Sequence, residues 1–491
     1  MSLTETEESA DPKPRRSDGR RSFFLRLHFY AGVFVGPFIL VAALSGALYA
    51  LAPSIEQIVY RDYLRTAEAA SSLPVADQIR AAQQVRPDLT VVAVRPATEP
   101  GETTRVMFTD PALGPSQRHA VFVDPATGAS RGELTVYGSS GALPMRTWIS
   151  NLHRSLHLGD PGRIYSELAA SWLWAIALGG IYLWISRYRR MKSREPSRAR
   201  LLTVDHSAKG RRGTLGWHGA LGFWMAGGLL FLSATGLTWS TYAGANISEL
   251  RSALSWTTPT VSTLLSVDDT APAPTSTDQH ADDGGHAAHG DPAHSTATPA
   301  PAPPVDQVDL VLKSARAIGI DGKVEVGVPS EPGTAFTVMQ TRQPWVLSNN
   351  SVAVDGTSGT ITDVSWFADW PVAAKLTAWG IQLHMGLLFG LANQLALVAL
   401  GAALSAVVVL GYVMWWRRRP TRGDRIAGRP PRRGVLAGLD PPVAVAVVLT
   451  AAAIGWFIPL LGVSLIAFVV VDVLVGAMKR RRVATEPASA R

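Results

Sequence analysis

Four long apolar runs dominate the chain, at about residues 27–52, 166–186, 217–239 and 391–416. Each is near the roughly 20 residues that an α-helix needs to cross about 30 Å of hydrocarbon, so the sequence predicts four membrane-spanning helices. A further apolar stretch, 442–478, is interrupted at Gly455, Trp456 and Pro459 and is predicted to form two short spans. No small-residue cleavage site follows the first run, which is therefore expected to be a retained helix and not a signal peptide.

Basic residues predict the orientation of these spans. The segment between the second and third spans carries ten Lys and Arg residues, and both the N-terminal tail and residues 417–433 are also basic. The positive-inside rule places these segments and both termini in the cytoplasm, which leaves loops 53–165 and 240–380 outside. The net charge of +8 is then explained by contact with anionic membrane lipid, and no nucleic-acid partner is expected.

Cysteine is absent from the chain. This excludes c-type haem attachment, thiolate-bound iron–sulfur clusters, disulfides and thiol relays. Histidine is therefore the strongest ligand that the chain offers to a transition metal.

The two halves of the chain align around four histidines. With an offset of 190, the residues His28, Gly32, Ser45 and Gly46 fall on His218, Gly222, Thr235 and Gly236. With an offset of 231, the residues Asp124, Gly128, Trp148, His153, Gly159, Gly180 and Trp184 fall on Asp355, Gly359, Trp379, His384, Gly390, Gly411 and Trp415. The offsets differ by 41, close to the length of a Pro/Ala/His-rich insert in the second half. The pattern predicts a duplicated membrane unit with two histidines per copy.

Each outer loop is predicted to contain one helix followed by short strands. In the first loop the helix is 75–85 and the strands are 90–94, 104–109 and 120–123, closed by a turn at 124–128. In the second loop the helix is 305–317 and the strands are 323–328, 335–340 and 351–354, closed by a turn at 355–359. Such a small α+β module buries only a modest core, so each is expected to rest on the membrane domain.

The insert between the third span and the second outer module, residues 267–304, is predicted to be disordered because it has almost no large apolar residue. Its four histidines, His280, His286, His289 and His294, alternate with aspartates and would suit loose capture of a divalent or ferric ion. The alternative is a polar linker that binds nothing.

The repeat makes the remaining histidine pairs candidate haem ligands. Each copy crosses the membrane twice, so the copies share one orientation and are expected to be related by an axis along the membrane normal. His28 would then face His218 near the cytoplasm, and His153 would face His384 near the outside. Two neutral imidazoles from facing helices are what a six-coordinate haem iron needs, which predicts two b-type haems. Polar packing inside the bundle is the alternative for all four histidines.

The chain around the outer pair must bend. A straight helix from His153 to Trp184 would overshoot the hydrocarbon core, so a break is predicted at 159–162, with His153 on a separate interfacial helix. His157 lies one turn beyond His153 and is a substitute ligand or a propionate partner. Its counterpart in the second copy is Leu388, so symmetry favours His153. Arg146, Arg154 and Arg163 are further candidates for pairing with propionates.

Several short motifs resemble the PepSY-associated transmembrane family. These are the segment 152–156 with Gly159, the helix starts at His28 and His218, Leu383-His384 with Gly390, and the closing segment 414–418. The outer modules resemble PepSY domains, and the resemblance covers about residues 20–420. It implies an iron-regulated bacterial inner-membrane protein, some relatives of which are haem-containing ferric-siderophore reductases. The His-rich insert and the C-terminal hairpin lie outside the shared pattern.

The predicted fold is a mainly α membrane protein: a duplicated two-helix unit forming a four-helix haem bundle, two small α+β PepSY-like extracytoplasmic modules, and a C-terminal helical hairpin. The segments are a cytoplasmic disordered tail (1–22), the first span (23–52), the first outer module (53–143), an interfacial helix with the second span (144–187), a basic cytoplasmic loop (188–214), the third span (215–241), an outer loop with the His-rich segment (242–304), the second outer module (305–372), an interfacial helix with the fourth span (373–417), a basic cytoplasmic loop (418–440), the C-terminal hairpin (441–478) and a cytoplasmic tail (479–491).

The predicted function is transmembrane electron transfer by an oxidoreductase, with a ferric siderophore or other ferric chelate as the outer acceptor. Reduction weakens a hard-oxygen chelate, because ferrous iron is softer and carries less charge. No glycine-rich nucleotide motif lies between a strand and a helix, so a cytoplasmic reductase or quinol is expected as the donor. Two alternatives remain: a non-enzymatic membrane-anchored protein that binds metal or a peptidase, and a haem protein that exchanges electrons with quinone alone.

Overall fold

The computed structural model describes residues 16–265, 304–417 and 441–485, and the α-helices below are those of these ranges. Long helices and short amphipathic helices alternate along the chain. They are α1 (Arg16–Phe34), α2 (Gly36–Val59), α3 (Arg61–Leu64), α4 (Val75–Val85), α5 (Pro144–Ser155), α6 (Asp160–Arg194), α7 (Gly210–Thr238), α8 (Tyr242–Ala253), α9 (Val308–Ala317), α10 (Val372–His384), α11 (Gly390–Trp416), α12 (Pro441–Phe457) and α13 (Pro459–Thr485).

Four helices in the described ranges, α2, α6, α7 and α11, are long and apolar enough to cross a membrane. The shortest, α2, has 24 residues and is about 36 Å long at the α-helical rise, which exceeds the hydrocarbon thickness. Each contains most or all of one of the apolar runs, so the prediction of a mainly helical membrane protein is confirmed. The C-terminal hairpin has two shorter apolar segments, Ala444–Phe457 and Pro459–Val475. Its helices separate at Ile458, because Pro459 cannot continue the hydrogen-bonding pattern.

One compact unit comprises Met1–Ala43, Glu167–Ala234 and Ala402–Arg491, and its described residues are mostly helical. Polar side chains join its helices by hydrogen bonds. The Tyr412 hydroxyl donates to the carbonyl oxygen of Val33 at 2.6 Å, and the Trp172 indole donates to the Ser464 hydroxyl at 2.9 Å. The second contact ties the C-terminal hairpin to α6. Hydrogen bonds of this kind satisfy polar groups that lipid cannot solvate.

The other compact unit, Leu44–Ser166 and Thr235–Gly401, contains an eight-stranded antiparallel sheet. Its strands are β1 (Thr90–Arg95), β2 (Thr104–Thr109), β3 (Gln117–Val123), β4 (Ser130–Tyr137), β5 (Val324–Gly327), β6 (Phe336–Gln340), β7 (Ser351–Val354) and β8 (Ile361–Ser365), in the order β4-β3-β2-β1-β5-β6-β7-β8. The strands of the two predicted modules therefore form one continuous sheet. The modules join where β1 pairs with β5, with Val94 opposite Val326. Pairing these edges satisfies backbone groups that would otherwise template aggregation.

Helices α4 and α9 cover one face of this sheet. Ile79 of α4 and Val311 of α9 are fully buried against Val94, Val326 and neighbouring strand residues. The two helices are also joined directly. The carboxylate of Asp309 accepts hydrogen bonds from the backbone N–H groups of Val75 and Ala76 at 2.9 and 3.0 Å. It thereby caps the N-terminus of α4, where Pro74 offers no side-chain acceptor.

Sharp turns separate the short helices from the long ones that follow. Helix α5 ends at Ser155, and Leu156, His157 and Gly159 have positive φ angles of 52°, 57° and 63° before α6 begins at Asp160. Helix α10 ends at His384. In the turn that follows, Gly386 has a φ angle of 76°, and Gly390, the first residue of α11, has one of 55°. The outer histidines thus lie on short helices and not on the spans. This geometry resolves the excess length of a straight helix from His153 to Trp184.

Candidate functional site

His28 on α1 and His218 on α7 face each other within the first unit. Their imidazole ring centroids are 6.1 Å apart, and the ring planes are nearly perpendicular at 83°. Both side chains are half-buried. The sequence paired these histidines through an offset of 190, and the structure brings the two rings together.

Each of these rings is oriented by a backbone carbonyl group. Nδ1 of His28 lies 3.0 Å from the carbonyl oxygen of Ile176, and Nδ1 of His218 lies 2.9 Å from that of Val407. Because a carbonyl oxygen only accepts, Nδ1 carries the hydrogen in both rings and Nε2 holds the lone pair. Ile176 and Val407 are 231 positions apart, so positions related by the second offset make the same contact.

Glycines shape the space around the inner pair. A methyl group at Gly180 would lie 3.2 Å from Cε1 of His28, and one at Gly411 would lie 3.7 Å from Cε1 of His218. Larger side chains at these positions would press on the rings. At Gly32 and Gly222, one turn after each histidine, a methyl group would meet no atom of the described residues within 4 Å. Open space therefore adjoins the helix beside each inner histidine.

The outer pair lies in the second unit and is oriented by hydroxyl groups. Nδ1 of His153 on α5 lies 3.0 Å from Oγ of Ser45, and Nδ1 of His384 on α10 lies 2.6 Å from Oγ1 of Thr235. Ser45 and Thr235 occupy equivalent positions at the offset of 190. The repeat contained both residues, but the sequence alone gave them no role. The signal that could have indicated this role was the presence of a hydroxyl side chain at the same position of both repeats.

The surroundings of His384 keep its ring neutral. Burial, together with the nearby positive charge of a protonated His153, lowers the pKa of His384 to about 3. The edge of Trp239 packs against its ring at 5.1 Å. On the other side of the pair, a methyl group at Gly46 would lie 3.0 Å from Cε1 of His153. Both outer rings are thus held in tight surroundings, and His384 offers a lone pair at neutral pH.

His157 occupies a different environment from His153. It is exposed, has a positive φ of 57°, and packs against Trp148 with ring centroids 4.9 Å apart. His153 is the member of this pair that contacts Ser45. The structure therefore places His153, and not His157, in the position equivalent to that of His384.

The three outer arginines differ in their contacts. The Arg163 guanidinium donates to the carbonyl oxygen of Trp239 at 2.9 Å, beside the ring that packs on His384. Arg154 donates to the Tyr137 hydroxyl at 3.0 Å. Arg146 is buried with its guanidinium over the ring of Tyr49 at 5.8 Å. Arg163 therefore reaches His384 through a single intervening residue, Trp239.

Bare metal ions have no obvious site in the described ranges. Within residues 16–265, 304–417 and 441–485, no group of three or more His, Asp or Glu side chains is placed to hold one. The four histidines of the insert, His280, His286, His289 and His294, lie outside the described residues. Loose capture of a metal ion by this segment stays a prediction.

Comparison with known proteins identifies the family. A family model described as the PepSY-associated TM region matches residues 25–418, and the chain belongs to this family. The match includes all four paired histidines and the eight-stranded sheet. No curated protein matches the chain.

Proposed function

We propose that this member of the PepSY-associated TM family holds two b-type haems and carries electrons across the bacterial cytoplasmic membrane to a ferric chelate outside. The observation that carries the proposal is the inner pair. His28 and His218 present rings 6.1 Å apart, each with Nδ1 bound to a backbone carbonyl oxygen. The histidine side chains of two different helices thus have the same tautomer, and each ring is held by a hydrogen bond to a backbone carbonyl oxygen.

The spacing of these rings fits a shared iron. An imidazole nitrogen lies about 2.0–2.1 Å from a bound first-row metal ion, so two rings on opposite sides of one ion have centroids roughly 6 Å apart. Both Nε2 lone pairs must be free of protein hydrogen bonds if the two rings are to bind one metal ion. In the described residues, neither Nε2 of the inner pair has such a bond. Second contacts from Nδ1 are the usual way in which proteins orient metal-binding histidines.

The residues of the chain would have distinct tasks at each site. Ile176 and Val407 hold the inner imidazoles in one tautomer, and Ser45 and Thr235 orient the outer ones. Gly32 and Gly222 leave open space beside the inner helices, where a flat macrocycle would approach the backbone. Bound haem would supply a one-electron carrier at each pair. The low pKa of His384 would keep its nitrogen available as a ligand.

The direction of electron flow follows from the proposed orientation. The basic segments predict that the inner pair lies near the cytoplasmic ends of the spans and the outer pair near their external ends. A cytoplasmic reductase or membrane quinol would supply electrons, since the sequence has no nucleotide-binding motif. A ferric chelate, such as a ferric siderophore, would accept them outside and release its iron after reduction.

The test is the absorption spectrum of the full-length protein purified from haem-replete cells. We expect a reduced-minus-oxidised b-type spectrum, with about half of the haem lost in His218→Ala or His384→Ala. His206→Ala is the matched control, because His206 is exposed and its ring packs against that of Trp217 and not against a paired histidine. A colourless wild-type preparation would favour the non-enzymatic role in binding metal or a peptidase. Haem that reduces quinones but no ferric chelate would favour quinone exchange.

A further inference from the structure

A basic pocket lies in the second unit where the two halves of the sheet meet. The cavity has a volume of about 540 Å³. Its cationic lining residues are Arg65, Arg95, Arg105, Arg146, Lys323 and Arg342, and its carboxylates are Glu56 and Glu102. The volume lies within the range typical of small-molecule sites, roughly 300–1,000 Å³. The excess of positive charge indicates an anionic occupant.

Part of this positive charge is neutralised by the protein itself. Arg95 forms an ion pair with Glu325 at 2.6 Å, and Lys323 forms one with Glu102 at 2.5 Å. Glu56 accepts a hydrogen bond from the backbone N–H of Leu143 at 2.9 Å. These contacts explain how the pocket walls are held together. They do not account for every cation in the lining.

Arg105 and Arg342 have no carboxylate within 4.0 Å among the residues that the structure describes. The Arg105 guanidinium donates to the carbonyl oxygen of Gly141 at 2.8 Å and lies over the ring of Phe122 at 5.0 Å. Arg342 contacts the sulfur of Met385 at 3.8 Å. Burial, with the neighbouring positive charge of Arg95, lowers the pKa of Arg105 to about 10, so the side chain is still charged at neutral pH. The pocket therefore contains two charged guanidinium groups that form no direct ion pair with a described residue, although the carboxylates of Glu56 and Glu325 attract Arg105 from beyond 4.0 Å.

The pocket adjoins the outer histidine pair. Gly386, in its wall, follows His384 by two residues, so their Cα atoms are at most about 7.6 Å apart. Met385, which Arg342 contacts, is the residue directly after His384. Arg146, also in the wall, lies two helical turns before His153 on α5, or about 10 Å along the axis. The pocket wall therefore includes residues within about 10 Å of each outer histidine along the chain.

We propose that the basic pocket binds a small ferric chelate that carries carboxylates at its periphery. Binding itself needs only the pocket, whereas reduction of the bound chelate rests on the function proposed above. In that step the ferric ion would gain one electron, and a carrier that His153 and His384 would hold would lose one. No covalent bond forms or breaks. The other source of carboxylates is the propionate groups of an outer haem, and the experiment separates the two.

The experiment measures binding of gallium(III) citrate to the full-length, haem-containing protein in detergent. Gallium is not reduced, so binding is measured independently of electron transfer. We expect Arg342→Gln and Arg105→Gln each to weaken binding roughly tenfold or more, since each removes a charged hydrogen-bond donor. Arg316→Gln is the matched control: Arg316 is an exposed arginine of α9 and does not line the pocket. Raising the salt concentration should weaken binding to the wild type.

Each other outcome overturns a defined part of the proposal. Equal affinity in the wild type, Arg342→Gln and Arg105→Gln would overturn the pocket assignment, even if ferric chelates were still reduced. Loss of haem in Arg342→Gln with unchanged affinity for gallium citrate would assign the pocket to propionates and overturn it as well. Pocket-dependent binding of gallium citrate without any reduction of ferric citrate would retain the pocket and overturn the proposed function.

Discussion

The hydroxyl oxygen of Thr235 lies 2.6 Å from Nδ1 of His384, and the hydroxyl oxygen of Ser45 stands in the same relation to His153 at 3.0 Å. The inner histidines have backbone carbonyl groups in place of these hydroxyls. All four rings are therefore oriented through Nδ1, but the hydrogen-bond partners of the two pairs differ in kind. A carbonyl oxygen only accepts, whereas a hydroxyl also donates, so the two pairs would give a bound iron different electronic surroundings.

Removing the hydroxyl of Thr235 should affect the outer site selectively. In Thr235→Val the ring of His384 loses its hydrogen-bond partner, and loss of such outer-sphere contacts typically costs about 10–100-fold in metal affinity. We expect haem content to fall towards half, with the spectrum of the remaining haem unchanged. Thr238→Val is the control, because the Thr238 hydroxyl donates to the carbonyl oxygen of Thr235 within the same helix. Equal haem content in the two variants would argue against a role for Thr235.

The cap that Asp309 provides for α4 should contribute to the stability of the sheet. In Asp309→Ala, the N–H groups of Val75 and Ala76 lose their acceptor, and the free energy of unfolding should fall by about 1–2 kcal/mol. Pulse proteolysis of the full-length protein over a denaturant series would measure this. In Asp306→Ala, only an exposed ion pair with Arg80 is lost, so little change is expected. Equal losses in both variants would contradict the capping role.

Glu325 should make the sheet sensitive to acid. Although burial raises the pKa of this carboxyl, the guanidinium groups of Arg95 and Arg118 more than offset this and hold the pKa below its ordinary value of 4.5. Because the folded-state pKa is depressed, the stabilisation is fully present above about pH 4.5 and is lost as the pH falls through the folded-state pKa. Unfolding midpoints measured from pH 7 to well below pH 4.5, through the folded-state pKa, should therefore decrease at the acid end.

Glu325→Gln separates this contribution from general acid unfolding. At pH 7 the variant should be destabilised by about 2 kcal/mol, because two charged hydrogen bonds are lost. At the acid end its stability should approach that of the wild type, which has then lost the same charge. A constant difference across the whole pH range would contradict the assignment.

Local patterns predicted much of the secondary structure, because they depend on neighbouring residues. The periodicity of Val75–Val85 and the alternation of Thr104–Thr109 gave the ranges that the structure has. Strands β4 and β8 were not predicted: β4 is only partly buried and is rich in polar residues, so its alternation is weak. The pairing of Val94 with Val326 was also not predicted, since no local signal marks partners 232 positions apart.

The sequence also predicted part of the candidate site. The internal repeat placed His28 beside His218, because equivalent positions around an axis meet at equal depth. The role of Ser45 was missed, since a lone serine in an apolar helix has many ordinary explanations. The basic pocket was missed for another reason. Arg105 and Arg342 come from distant parts of the chain, and their meeting depends on the junction of the two sheet halves.

Gly222 offers the sharpest distinction between haem binding and polar packing at the inner pair. A methyl group at this position would meet no described atom within 4 Å, so the Cβ atom in Gly222→Leu fits without displacing protein, and membrane insertion of the variant is measured beside its haem content. Gly222 lies one turn after His218 on the same face of α7, where a macrocycle held by that ring would approach the helix. We therefore expect the variant to lose the inner haem and to retain the outer one.

Gly227→Leu is the matched control on the same helix. Gly227 is exposed, and a methyl group there would also have no described atom within 4 Å, but it is nine residues from His218 and so lies on a different face. This variant should retain both haems. Haem content per protein and the reduced-minus-oxidised spectrum would be compared for the two variants at equal expression. If Gly222→Leu retained full haem content, the open space beside His218 would serve only helix packing or lipid contact, and the inner pair would no longer support a haem site.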